Sequence, residues 1–178
     1  GEGLPPELLD GFFLLMVIAG NETTRNTITG GLLALTENPQ ERDKLLNDPS
    51  LIANATDEML RWVSPVIYFR RTATKDTEIR GQKIEEGQKV AMWYGAANRD
   101  EEIFKESQKF LVDRENANKH LAFGAGQHLC LGNQLGKMQI RVLFEELLKA
   151  YPNMHSVSEP VRVSSNFLDA ISDLQVNS

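Results

Sequence analysis

The sequence predicts a mainly α-helical protein carrying small antiparallel β-sheets, on three observations. Helical punctuation recurs: Asn38-Pro39 and Asp48-Pro49 each place a capping side chain before a proline suited to a first turn, and Ser64-Pro65 and Tyr151-Pro152 mark helix ends. Short β-prone runs between residues 66 and 93 are separated by Gly81 and Gly87. Hydrophobic residues make up 41% of the 178 residues, the composition of an ordinary globular chain of one domain.

Pro5-Pro6 opens the first helix. Residues 8 to 18 are apolar on almost every side, which describes a helix surrounded by protein. The elements that cover it must come from later in the chain or be missing, and the chain reads as a C-terminal fragment. A second helix is expected from Asn38-Pro39 to near Asn47. A third is expected from Asp48-Pro49 to Ser64, with Ile52, Ala55, Met59 and Leu60 at helical spacing. Val66-Ile67-Tyr68-Phe69, Glu78-Ile79-Arg80 and Lys89 to Trp93 then predict a small antiparallel sheet. Residues 107 to 130 are expected to be irregular. Beyond Cys130 a long amphipathic helix is predicted, with Leu131, Leu135, Met138, Val142 and Leu147 on its buried side, and the tail from about 156 to 176 reads as short strands.

Charge and cysteine content narrow the function classes. Nineteen Lys and Arg stand against 25 Asp and Glu, and a net charge of −6 argues against a nucleic-acid binder relying on overall positive charge. The longest unbroken apolar run, Phe12 to Ala19, falls far short of the roughly 20 residues of a membrane span. The acidic flank before it is unlike a signal peptide, and Cys130 is the single cysteine, so a cytoplasmic setting without disulfides is expected.

The most informative segment runs from Phe123 through Gly124, Gly126, His128 and Cys130 to Gly132, a glycine-rich loop delivering one cysteine to the start of a helix. Gly124 and Gly126 permit positive φ and a close approach of backbone to a flat ligand. A helix N-terminus favours thiolate over thiol, as metal ligation requires. No acidic residue lies between Asn116 and Phe144, whereas Lys119, Lys137 and Arg141 make the stretch positive, an environment that can also attract an acidic partner. Other readings stand beside this one. The cysteine can be a small buried hydrophobe. It can also be a nucleophile paired with a distant histidine, although that explains the glycines poorly. His120, His128, Cys130 and His155 do not form a recognised zinc spacing, and covalent haem attachment needs two cysteines followed by histidine.

Taken in register, Phe123, Gly126, His128, Cys130 and Gly132 resemble the signature loop of the cytochrome P450 family, Phe-x-x-Gly-x-x-x-Cys-x-Gly with a basic residue two before the cysteine. Two further constellations carry the same resemblance. Ala19-Gly20-Asn21-Glu22-Thr23-Thr24 is similar to the family's oxygen-activating helix, and Glu58-x-x-Arg61 followed by Phe110-x-x-x-Arg114 to its conserved acid–arginine set. The resemblance implies the C-terminal half of the cytochrome P450 fold over residues 1–178, as the haem-binding part of a single domain. It implies haem b as cofactor, with Cys130 as axial thiolate, His128 and Arg71 at the propionates, and Phe123, Gly124, Gly126 and Gly132 around it. Ala19 and Gly20 would permit a local opening of the helix beside the haem, and Glu22 and Thr23 would deliver protons for oxygen activation. Glu58, Arg61 and Arg114 would be structural, and Val66, Ile67, Phe69 and Leu168 would line an apolar substrate cavity.

Within the family the stretches 19–26, 29–39, 90–94 and 162–167 are most similar to bacterial alkane terminal hydroxylases, with bacterial steroid hydroxylases second. This implies terminal hydroxylation of medium-chain alkanes using O2, with electrons from a ferredoxin and an NAD(P)H-dependent ferredoxin reductase. The ferredoxin is expected to dock near Lys137 and Arg141. The alternatives are a steroid or fatty-acid hydroxylase, or a non-catalytic fragment that does not retain haem.

Overall fold

The structure, a computed structural model, describes residues 3 and 5–177. Its order is α1 (Pro6–Glu37), α2 (Pro39–Asn47), a 3-10 turn (Pro49–Leu51) leading into α3 (Ile52–Val63), strands β1 (Tyr68–Thr72), β2 (Thr77–Ile79), β3 (Gln82–Ile84) and β4 (Lys89–Trp93), and a short α4 (Tyr94–Ala97). A long irregular segment interrupted by two 3-10 turns follows, then α5 (Asn133–Ala150) and β5 to β8 (His155–Ser156, Val161–Arg162, Ile171–Asp173 and Val176–Asn177). The mainly α architecture with small sheets is as the sequence predicts. The β runs between 66 and 93 form not one sheet but two two-stranded antiparallel pairs, β1 with β4 and β2 with β3, and the expected strands of the tail pair as β5 with β8 and β6 with β7.

The prolines act where expected, with one difference. Asp48 caps its turn by accepting from the Ser50 amide at 3.1 Å. Asn38 does not cap α2; its Nδ2 donates back to the Ala34 carbonyl at 2.8 Å and closes the C-terminus of α1 instead. The same Ala34 carbonyl accepts the Asn38 backbone amide at 3.0 Å, so the side chain adds a second donor at the end of α1 and does not cap α2.

The core lies where α1, α3 and α5 meet. Ile52, Ala55, Met59 and Leu60 of α3 are buried as their spacing implies, packed with Leu35, Ile140 and Phe144. Gly30 and Gly31 make the α1–α3 approach possible. A Cβ on Gly30 would stand 2.7 Å from Val63 Cγ2, and one on Gly31 would stand 2.9 Å from Met59 Sδ and 3.2 Å from Phe144 Cζ. Val63 is β-branched and stiff at χ1, so it cannot swing aside. Gly30→Ala is therefore expected to cost about 1–3 kcal/mol of overpacking, offset by about 1 kcal/mol of helix propensity. The check is a lower urea midpoint with an unchanged slope.

One expected buried face is corrected, and one is found uncovered. Leu135, Met138 and Val142 of α5 and the preceding Leu131 are exposed, while Gly136, Ile140, Phe144 and Leu148 are buried and Leu147 is half-buried. The helix is apolar on two sides, and its period does not say which side meets α1 and α3. The apolar stretch of α1 from Leu8 to Ile18 is likewise exposed, and none of the later described elements covers it.

Candidate functional site

The irregular segment after α4 lacks a hydrogen-bonding ladder of its own, so its carbonyls need other partners. Two arginines supply them. Arg61 on α3 is fully buried and meets Glu58 through both forks, Nε to Oε2 at 2.7 Å and Nη2 to Oε1 at 2.8 Å. Its remaining donors reach the carbonyls of Asn98 (2.8 Å), Ser107 (3.0 Å) and Lys109 (2.9 Å), so all of its N–H groups are used. Arg114 donates through Nε to Glu58 Oε2 at 3.0 Å and through Nη2 to Glu106 O and Lys109 O. Glu58 also accepts from the Leu111 amide at 2.9 Å, and Asn54 of the same helix donates to Val112 O and Arg114 O. The three residues singled out in the sequence thus meet at one carboxylate and shape the segment that leads to the cysteine loop. Asn98, buried beside them, donates to Ser64 Oγ at 2.8 Å and accepts the Leu121 amide at 2.7 Å, a role with no signal in the sequence.

The loop from Phe123 to Gly132 turns back on itself so that the Cys130 amide donates to Phe123 O at 2.9 Å. Gly124 and Gly126 adopt φ of +70° and +65°, the left-handed region that favours glycine. Crowding adds to the demand at Gly124, where a Cβ would stand 3.3 Å from Tyr94 Oη and 3.4 Å from His128 O. Asn133 opens α5 with its amide and its Nδ2 both on the Cys130 carbonyl. Cys130 is exposed, and so are His128, Leu129 and Leu131 beside it.

Glu22 and Thr23 lie on α1, whose helical assignment is unbroken from Pro6 to Glu37. α1 stays helical through Ala19 and Gly20, where an opening is expected. The Thr23 hydroxyl donates to the Ala19 carbonyl at 2.7 Å, as a threonine in a helix readily does. Glu22 pairs with Arg25 rather than with Thr23. The neighbouring Thr24 and Phe123 of the cysteine loop approach the same point on α5. A Cβ on the buried Gly136 of α5 would stand 3.8 Å from both Thr24 Oγ1 and Phe123 Cζ.

Arg71 lies on β1 opposite Val90, half-buried, with Nη1 on the Arg70 carbonyl. Beside it Tyr94 is buried, a site residue the sequence did not single out. Burial pushes its phenol up, only partly countered by the Arg71 charge, so it stays a neutral donor. Val66 and Leu168 are brought together in an antiparallel bridge, and Ile67 takes the Phe167 carbonyl at 2.9 Å. Phe69 stacks edge-on against both Tyr94 and Phe167. Ile67 itself lines a cleft with Trp62, Ser64, Trp93, Arg99 and Asp169, which contains no residue of the cysteine loop.

The positive stretch around Cys130 is corrected by its neighbours in space. Lys137 pairs with Asp57 of α3, and Arg141 pairs with Glu145 at 3.4 Å. A stretch free of acids along the chain is not free of them after folding.

The donor set suits an axial thiolate ligand to a flat apolar group. One exposed thiol sits on a glycine-rich loop beside exposed leucines, and no cluster of three metal-ligating side chains exists among the described residues. Gly124, Gly126 and Gly132 carry no side chain to obstruct its approach.

The model of the family described as "Cytochrome P450" matches residues 2–162. The methyl-branched lipid omega-hydroxylase of Mycobacterium tuberculosis is 47% identical over 178 residues, covering 99% of this chain and 41% of that protein. Among solved structures, a Mycobacterium marinum cytochrome P450 in complex with pseudoionone is 40% identical with a TM-score of 0.95, covering 100% of this chain and 43% of that one. The cytochrome P450-153 of Novosphingobium aromaticivorans is 44% identical with a TM-score of 0.86, covering 92% of this chain and 42% of that one. The chain thus spans about two fifths of the length of the curated relative it matches. With a family match over most of its length, a solved relative of the same fold and a glycine loop presenting one exposed cysteine, this chain belongs to the cytochrome P450 family, whose members bind haem b through an axial cysteine thiolate.

Proposed function

We propose that the chain is the haem-thiolate portion of a monooxygenase that hydroxylates the terminal C–H bond of an apolar aliphatic chain, with medium-chain alkanes as substrates. The convergence of Thr24, Phe123 and Gly136 carries this reading, because it sets the acid–alcohol helix against the loop that presents the thiol. Cys130 would be the axial ligand, with His128 and Arg71 at the propionates and Phe123, Gly124, Gly126 and Gly132 framing the ring. Haem b bound through a thiolate supplies the activation of O2, one atom of which enters the C–H bond while the other leaves as water after uptake of two electrons and two protons.

The chain's own residues would manage the protons. The Thr23 hydrogen is committed to Ala19 O, so its oxygen lone pairs are left to accept from water and hold it in place. Glu22 must leave Arg25 before it can transfer a proton, and a partly exposed pair of this kind resists by less than about 1 kcal/mol. Val66, Phe69 and Leu168 offer apolar contacts and no charged anchor, which suits an unfunctionalised chain end. A relative whose name states omega-hydroxylation of a methyl-branched lipid supports the choice of a terminal C–H bond. Electrons would come from a ferredoxin and its NAD(P)H-dependent reductase. Both basic residues are paired, Lys137 with Asp57 and Arg141 with Glu145 at 3.4 Å, and Arg141 is the more exposed of the two for docking. No helix among the described residues is long and apolar enough to cross a membrane.

The test is reconstitution of the chain with haem b, the reduced carbon-monoxide difference spectrum, and then product analysis with ferredoxin, reductase, NADPH and a medium-chain alkane. A thiolate-type carbonyl band and a primary alcohol are expected. Absence of the band overturns haem-thiolate ligation by this chain, and oxidation of a steroid or fatty acid in place of the alkane overturns the substrate assignment.

A further inference from the structure

His120, which the sequence offers only as an unsuccessful zinc ligand, has its side chain 2% exposed and lies between α3 and the cysteine loop. Its Nδ1 accepts the Ala122 amide at 3.2 Å, so the ring proton is on Nε2, which donates to Asp57 Oδ1 at 3.2 Å. The same Asp57 oxygen takes the ammonium of Lys137, in the second turn of α5. Asp57 therefore grips one residue before the cysteine loop and one after it. The His120 ring packs on Phe123 at 5.6 Å between centroids, and Phe123 O is the acceptor of the Cys130 amide. The path from Asp57 to the cysteine backbone is continuous, His120 to Phe123 to Cys130, while Lys137 ties the helix that carries the other flank.

We infer that Asp57 is a positioning residue for Cys130, its carboxylate pinning both flanks of the cysteine loop to α3 so that the loop holds its shape before any cofactor binds. Burial pushes the Asp57 carboxyl up, but the hydrogen bonds from His120 and Lys137 and the Lys137 charge outweigh it and hold it below the usual range, so the carboxylate is charged at neutral pH. Asp57 is adjacent in sequence to Glu58 yet faces a different partner set. Glu58 shapes the irregular segment through Arg61 and Arg114, and Asp57 holds the loop that follows it. The consequence for haem ligation rests on the proposed function, whereas the clamp itself does not.

The experiment measures hydrogen exchange at the Cys130 amide in the full haem-free chain, scaled to core amides of α3 and α5 in the same sample. Asp57→Ala is expected to speed exchange at Cys130 by about tenfold or more relative to Leu60 and Phe144, since two charge-assisted contacts are lost. Asp57→Asn keeps an acceptor for His120 and should restore part of the protection. Glu145→Gln, which breaks only the Arg141 pair further along α5, should change nothing. Equal acceleration at Cys130 and the core amides, or no acceleration, overturns the clamp. In the haem-loaded protein, Asp57→Ala should lower the thiolate-type fraction of the carbonyl spectrum and speed haem transfer to a competing apoprotein. A wild type without that band overturns the haem reading alone, because the exchange result does not depend on it.

Discussion

Arg61→Ala is expected to remove about 3–5 kcal/mol of stability, the cost of breaking a buried ion pair by deleting one partner. Domains of this size are held by about 5–15 kcal/mol, so the loss takes a large share of the total and leaves a chain near the lower bound partly unfolded at room temperature. The substitution takes both forks away from Glu58 and leaves the carbonyls of Asn98 and Ser107 without their donor. Arg61→Lys should be nearly as damaging, because a point charge with three donors cannot replace a planar fork that uses five. Urea unfolding followed by circular dichroism is the measurement. A variant within about 1 kcal/mol of the wild type would show that the carbonyls find water instead and that the buried set is not what holds the irregular segment.

Cys130→Ser should separate function from stability. The thiol is exposed and makes no side-chain packing contact that the core depends on, so the unfolding midpoint should move by no more than about 0.5 kcal/mol in free energy. The carbonyl spectrum should lose its thiolate character completely and product formation should fall below detection, because a serine hydroxyl does not ionise to replace a thiolate ligand. Retention of the thiolate-type band in Cys130→Ser would sink the assignment of the axial ligand, since no other cysteine is present. Compared side by side, Arg61 and Cys130 are expected to fail in opposite ways, one in folding with its chemistry untested, the other in chemistry with its fold intact.

Much of this was readable along the chain because the signals are local. Prolines at 39, 49, 65 and 152 set helix boundaries through φ restriction and the missing N–H, which act within one turn. The cysteine loop was legible for the same reason, since positive φ at Gly124 and Gly126 is a property of single residues. The spacing of Glu58 and Arg61 placed them on one face of one helix, and that too needs no tertiary information.

Other features depend on which elements meet. α5 is apolar on two sides, and only its packing against α1 and α3 selects Ile140, Phe144 and Leu148 over Leu135, Met138 and Val142 as its buried face. The positive stretch beside Cys130 loses part of its charge to Asp57, a residue far away in sequence. Gly20 permits a break in α1 but does not compel one, and α1 stays helical through it. Backbone preferences are decided within a few residues, so composition and spacing determine them. Burial, ion pairing and the satisfaction of an irregular segment's carbonyls are decided between segments remote in the chain, so they exist only once α3 has brought Asp57, Glu58 and Arg61 to the partners that surround them.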